Sequence, residues 1–164
     1  MLEILLILLS VNLLQFSSAT NERITHIMDK VYLCENSVAR DEEYVRDQGF
    51  ARIFNFGEGP GYRYKIPLWR YTHIGLKNDG SGLFIPKAEV IAGIIIGEGD
   101  KALVHDETEG TIAPIFAMYY LIREKKWAYE KAYKYVQSKR SCPNLNIKYL
   151  NQLKEFEKWY LKEK

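Results

Sequence analysis

At 164 residues, 47% of them hydrophobic and with a formal net charge of +2, the chain has the size of one domain and the makeup of a packed one. Its 12 Tyr, 7 Phe and 3 Trp are enough to fill a core at this length. Basic residues are scattered, with no nucleic-acid motif, which argues against a DNA- or RNA-binding role.

Residues 1–19 stand apart from the rest. Leu2 to Phe16 is almost wholly apolar, and Ser17-Ser18-Ala19 supplies small residues before the polar Thr20-Asn21-Glu22. Such a run reads as a secretory signal peptide, too short for a comfortable membrane span, although no Lys or Arg precedes it. The alternatives are an uncleaved hydrophobic anchor, a docked amphipathic helix or a misassigned start. A cleaved signal implies a secreted or secretory-pathway protein with no membrane span in the mature chain; without it the protein would be cytoplasmic. Residues 20–164 form the expected single domain, free of repeats and linkers.

In chain order, Ile24–Ile27 and Val31–Cys34 read as a short β pair turning at 28–30, and Ser37–Asp47 as a helix ending at Gly49. Ala51–Phe56 alternates as a buried strand broken by the Gly57–Gly61 run. Arg70–Leu76 holds another strand before the turn-rich Asn78–Gly82. Pro86–Ile96 places Ala88, Ile91, Ile94 and Ile95 at helical spacing, with Pro86 suited to a first turn. Ala102–Val104 is a buried strand. Three helices follow: an apolar Ala113–Glu124; Trp127–Arg140, with Ala128, Ala132, Tyr135 and Val136 on one stripe; and Asn146–Leu161, capped by Asn144 or Asn146. Strands alternating with helices argue an α/β fold, a mostly parallel sheet with helices on both faces.

The chemistry concentrates between Ala102 and Arg123, where a strand, a tight loop and a helix opening at Ala113-Pro114 follow one another. That arrangement holds anions, because unpaired backbone N–H groups and the helix dipole converge on one point. The framing resembles the active-site loop of the dual-specificity branch of the protein tyrosine phosphatases, V-H-C-x-x-G-x-x-R-S. Val104-His105 match it. Asp106 then stands in place of the nucleophilic Cys, Glu109 of the Gly, Ile112 of the phosphate-clasping Arg and Ala113 of the Ser. The resemblance extends over nearly everything after residue 20: GFARIFNF is similar to the family's second strand, Tyr71–Leu76 with Asn78-Asp79 to the stretch carrying its general-acid Asp, and YVQSKRSCPN with NQLKEFEKWY to its closing signature. It implies a dual-specificity-type phosphatase-like domain, closest in flavour to the phospho-Ser/Thr/Tyr-interacting pseudophosphatases.

The family's reaction needs a low-pKa thiolate, a bidentate cation and a leaving-group acid. A carboxylate at position 106 is a poorer nucleophile, Ile112 removes the clamp, and the loop His105-Asp106-Glu107-Thr108-Glu109-Gly110-Thr111-Ile112 carries no Lys or Arg. The expectation is a catalytically inactive protein-interaction module with a protein partner. The competing readings are a phosphoprotein reader without turnover and an atypical phosphatase with residual activity. Asp79 then has no reaction to serve, and His105 reads as a satisfied core histidine in preference to a loop-ordering one. Either Asp106 fills the N–H nest as a stand-in for phosphate, or the loop has drifted to acidic, solvated residues.

Other candidates fall away. Cys34 to Arg40 satisfies Cys-x5-Arg by coincidence, lacking the preceding His and any Gly. Cys34 and Cys142 are either paired or free. His26, His73 and His105 lack metal-ligand spacing, and the Gly57–Gly61 run has no following Lys-Ser/Thr, so neither a metal nor a cofactor is expected. Tyr62, Tyr64 and Trp69 are either exposed contact residues or ordinary packing.

Overall fold

Five strands, β1 (Ile24–Met28), β2 (Val31–Cys34), β3 (Arg52–Asn55), β4 (Tyr71–His73) and β5 (Ala102–His105), hydrogen-bond in the order β1-β2-β5-β3-β4. The computed structural model that establishes this describes residues 23–59, 71–108 and 110–162. β1 and β2 form an antiparallel hairpin, whereas β5 lies at the centre, parallel to both β2 and β3, and β4 extends β3 in parallel. All four residues of β5 are buried, as expected of a strand covered on both faces.

The two-residue period of the strands sorts the core. Ile53 and Leu103 pack with Val38, Ala39, Val45 and Phe50 on the face covered by α1 (Asn36–Ala39) and α2 (Glu42–Asp47). Phe54, Val104 and Leu33 point the other way, into the larger core built by α3 (Phe84–Glu98), α4 (Ala113–Lys125), α5 (Tyr129–Lys139) and α6 (Ile147–Tyr160). α4 is its axis: Ala113 through Ile122 are buried without interruption, and Phe116 and Tyr119 meet the rings of Phe56, Phe84 and Phe156. The α/β fold with helices on both faces is therefore present.

Boundaries differ from the sequence expectation where local polar chemistry intervenes. The helix expected over 37–47 is two helices, because Asp41 turns its carboxylate onto the Tyr44 N–H and starts α2 afresh. The strand expected within 70–76 is Tyr71–His73. On α5 the buried stripe is Tyr129, Ala132 and Val136; Ala128 is the exposed residue preceding the helix. Asn146, not Asn144, caps α6, accepting from the N–H groups of Lys148 and Tyr149. Among the described residues no helix is long and apolar enough to cross a membrane. The apolar segment 1–19, Glu109 and the aromatics Tyr62, Tyr64 and Trp69 lie outside the described residues.

The loop between β4 and α3 is fastened to α6. Gln152 accepts from the Phe84 N–H (2.8 Å) and donates to the Gly82 carbonyl (2.8 Å), Tyr149 OH donates to the Lys77 carbonyl (2.7 Å), and Asn146 Nδ2 donates to the Asn78 carbonyl (2.7 Å). Gln152 thus satisfies an otherwise open N-terminal donor of α3. Gln152→Ala is expected to cost about 2 kcal/mol, two part-buried hydrogen bonds at roughly 1 kcal/mol each, with an unchanged denaturant slope in urea unfolding.

Candidate functional site

The site is the connection from β5 to α4. β5 buries His105 and then delivers Asp106, whose carboxylate turns back over the start of α4. Oδ1 accepts from the Thr108 N–H (3.0 Å), the Thr108 hydroxyl (3.1 Å) and the Gly110 N–H (3.0 Å). Oδ2 accepts from the Ile112 N–H (2.9 Å) and the Ala113 N–H (2.7 Å). Asp106 is 1% exposed, so a buried carboxylate is balanced by five donors. Of the two readings of the acidic loop, solvated drift and a filled nest, this geometry matches the second. Gly110 makes the turn with φ of 88°, a conformation that favours glycine. The loop's flexible residue thus sits one place after position 109, where the family resemblance expects its Gly.

Ile112 contributes only its N–H; its side chain is fully buried in the larger core, beside Ala113 and Pro114 at the helix start. Thr108 and Thr111 bond to each other through their hydroxyls, and the Thr111 carbonyl accepts from the Asn146 N–H (3.0 Å). Asn146 therefore joins the loop before α4 to the 77–80 turn. Asp79 lies in that turn, exposed, with its Oδ1 accepting from the Ser81 N–H (2.8 Å). The Ser81 hydrogen bonds hold its carboxyl below the usual carboxylate range, the wrong direction for a proton donor.

Glu107 points elsewhere, into a second receptor. Its Oε1 accepts from Asn55 Nδ2 (3.0 Å), and Asn55 also donates to Tyr71 OH (3.0 Å) while its Oδ1 accepts from the Gly57 N–H (2.8 Å). The Gly57 carbonyl in turn accepts from His73 Nε2 (2.8 Å). Glu107 passes close to both glycines: a Cβ on Gly57 would stand 2.7 Å from the Glu107 backbone N, which cannot readily give way, and one on Gly59 would stand 1.4 Å from Glu107 Oε2, the movable end of the side chain. Asn55, Gly57, Gly59 and Asn146 were not singled out by sequence as site residues. The signal for the first three was a polar residue ending an apolar strand just before a glycine-dense turn.

His105 is buried, and neither ring nitrogen has a hydrogen-bond partner among the described residues; it is a core histidine, but not a satisfied one. Burial pulls its pKa down to about 4, against the opposing pull of the Asp106 carboxylate. Both cysteines are free, and burial pushes the Cys34 thiol up to about 12 and that of Cys142 to about 11. Neither has the lowered pKa of a nucleophilic thiol, which removes Cys34 to Arg40 as a rival catalytic motif.

No protein-family profile matches the chain. A putative tyrosine phosphatase, 123R of Invertebrate iridescent virus 6, is 27% identical over 141 residues, 82% of this chain and 92% of the viral protein. The serine/threonine/tyrosine-interacting protein of Mus musculus is 31% identical over 78 residues, 48% of this chain and 35% of its own length. The crystal structure of human DUSP28 superposes with a TM-score of 0.74 at 17% identity, covering 88% of this chain and 99% of that one.

Two outcomes test the site's construction. Because the folded-state pKa of His105 lies below its ordinary 6.5, its neutral form is favoured by folding. Its contribution is complete above pH 6.5 and lost as pH falls from 6.5 towards 4, by up to about 3 kcal/mol. In an NMR titration the His105 ring should stay neutral at pH 5.5, and a ring half-protonated at or above pH 6 would contradict this. Separately, Gly57→Ala should cost about 1–3 kcal/mol by overpacking against backbone. Gly59→Ala should cost less, and Glu107→Ala should suppress the Gly59→Ala effect but not that of Gly57→Ala in urea-melt double-mutant cycles. Sequence relatives and structural neighbours agree on the architecture: the chain has a dual-specificity-phosphatase-like fold.

Proposed function

We propose that this protein is a catalytically inactive dual-specificity-phosphatase-like protein that acts by binding a protein partner. The observation that carries this reading is the Asp106 carboxylate seated among the N–H groups of Thr108, Gly110, Ile112 and Ala113, at the point where an anion held by this loop would sit. A carboxylate in that place is hydrogen-bonded through both oxygens, which leaves it a poor nucleophile towards phosphorus. No Lys or Arg occurs between positions 106 and 113, and the residue in the clamp position, Ile112, is committed to the core. Asp79 is held ionised by Ser81, so the leaving-group proton also lacks a source.

Charge decides against the phosphoprotein-reader alternative at this loop. A phosphate oxygen within about 4 Å of Asp106 would be opposed by roughly 4 kcal/mol per unit charge at an effective dielectric of 20, and the N–H donors that could offset this are already engaged. The mouse serine/threonine/tyrosine-interacting protein, similar over half of this chain, is named for interaction, which supports a binding role. Export through the 1–19 segment is part of the same proposal; mass spectrometry of protein secreted by expressing cells should find a chain beginning at or near Thr20.

The decisive assay is turnover of p-nitrophenyl phosphate and of phosphotyrosyl and phosphothreonyl peptides by the full chain. The expected result is hydrolysis no faster than buffer, unchanged by Asp106→Ala. Turnover that Asp106→Ala abolishes would overturn the proposal.

A further inference from the structure

We propose that the cavity between the β1–β2 hairpin and α2 is this protein's partner-binding surface, and that it takes an extended acidic peptide segment whose central aromatic side chain enters between two cations. The inference rests on the reading of the protein as a binding module and adds where the partner docks and what chemistry it carries. The surface is separate from the β5–α4 loop. Lys101, at one end of the cavity, precedes β5, whereas Asp106 follows it, so about 16 Å of strand lies between them.

The short helices leave this flank of the sheet open. α1 and α2 are four and six residues long and cover Ile53 and Leu103, but along the hairpin Ile24 and Tyr32 are only half-buried. The result is a cavity of about 350 Å³, at the small end of the range for ligand sites. Its floor is aromatic. Tyr32 stands between His26, with ring centroids 4.7 Å apart, and Phe50, edge-on at 5.1 Å, and the Asp29 carbonyl accepts from His26 Nε2 (3.2 Å). Its two ends are cationic. The Arg23 guanidinium lies 4.1 Å from the centroid of the Tyr44 ring and is oriented by Asp41, which accepts from Nη2 (2.8 Å). Lys101 Nζ stands 5.7 Å and 5.8 Å from the centroids of Tyr32 and Phe50. Strand register sets the two cations apart: Arg23 precedes Ile24, which faces the last residue of β2, and Lys101 precedes Ala102, which faces the first. Among the described residues that line the cavity none is acidic. An extended segment turns residues i, i+2 and i+4 to one face and spans about 13 Å between the outer two. Acids at its outer positions reach Arg23 and Lys101, and an aromatic residue midway meets the ring floor.

The test titrates the full chain against fluorescein-labelled peptides and reads fluorescence anisotropy. The probe is Glu-Thr-Trp-Thr-Glu; Lys-Thr-Trp-Thr-Lys and Glu-Thr-Ala-Thr-Glu are its controls. The probe should bind with a Kd on the order of 100 µM, in keeping with a small interface, and both controls at least about tenfold more weakly. Raising NaCl from about 50 to about 300 mM should weaken the probe at least about threefold, because both cations are exposed. Arg23→Ala and Lys101→Ala should each weaken it at least about fivefold, and Lys101→Glu should shift the preference towards the Lys peptide. Lys134→Ala, on α5 and so on the sheet's other face, should leave binding unchanged. Equal binding of the three peptides, binding indifferent to both alanine variants, or no binding at about 1 mM peptide would each overturn the proposal. Should Arg23→Ala fail to fold, the two variants at exposed Lys101 carry the test. In NMR spectra without peptide, amide shifts at Ile24, His26, Tyr32 and Gln48 that grow with protein concentration would assign the cavity to a second copy of the chain and overturn it too. Phosphate-ester turnover is a separate readout, so a failure of the inactive reading shows there and not in the peptide titration.

Discussion

A carboxylate removed from water must find donors for both oxygens or give up its charge, and Asp106 finds four in the backbone of its own loop and a fifth in the Thr108 hydroxyl. This constraint organises the functional end of the fold. α4 is apolar around its circumference and sits in the middle of the larger core, so its N-terminal amides cannot look to bulk water. Supplying them from the residue that ends β5 solves two burial problems with one interaction. The strand stops, the turn closes and the helix begins around a single side chain. The partial positive charge of the helix N-terminus favours the same arrangement.

The second acidic residue shows that the loop is adapted to its carboxylates. Asp106 and Glu107 are adjacent in sequence yet turn away from each other into separate receptors, one of amides and one of the Asn55 side chain between two glycines. Residues 57–59 come from a different strand end, some fifty positions earlier in the chain. At Gly57 the Glu107 backbone leaves no room for a Cβ, so this crossing is fixed by main chain and not by a movable side chain alone. Asn55 extends the network to Tyr71 and, through Gly57, to His73, so the ends of β3, β4 and β5 are joined by side chains as well as by the sheet.

The architecture was legible because its signals are local and repeated. Buried β5, the apolar α4 and the two-residue alternation of ARIFNF each state their environment through several residues, and the alternation of strands and helices along the chain follows from them. Positions 106 and 112 stood out in the sequence as well, because a family resemblance gave them a meaning. What sequence could not supply was direction. The same acidic letters fit a solvated loop or a filled nest, and only the backbone path says which way a carboxylate faces. Asn55 and Gly59 were silent for a related reason: their roles exist only once Glu107 is brought across from another strand. Asp41 splitting a helix into α1 and α2 is a smaller instance, where a side-chain hydrogen bond three residues long outweighed a weak helical period.

His105 completes the electrostatic argument. Its ring is buried beside Asp106, and a protonated imidazole there would be drawn to the carboxylate. Desolvation nevertheless outweighs that attraction, since the pKa falls to about 4 and does not rise. At neutral pH the loop's own residues therefore supply no cation: His105 is neutral, and residues 106 to 113 include no Lys or Arg. The charge of Asp106 is met by four backbone N–H dipoles and the Thr108 hydroxyl. Dipoles suffice for a monoanionic carboxylate held at 2.7–3.1 Å by five donors, but they are already spent on it. An incoming phosphate dianion would meet the same dipoles occupied and a net negative charge behind them. On the proposed reading, the loop keeps the geometry of anion recognition while its electrostatics oppose an external anion.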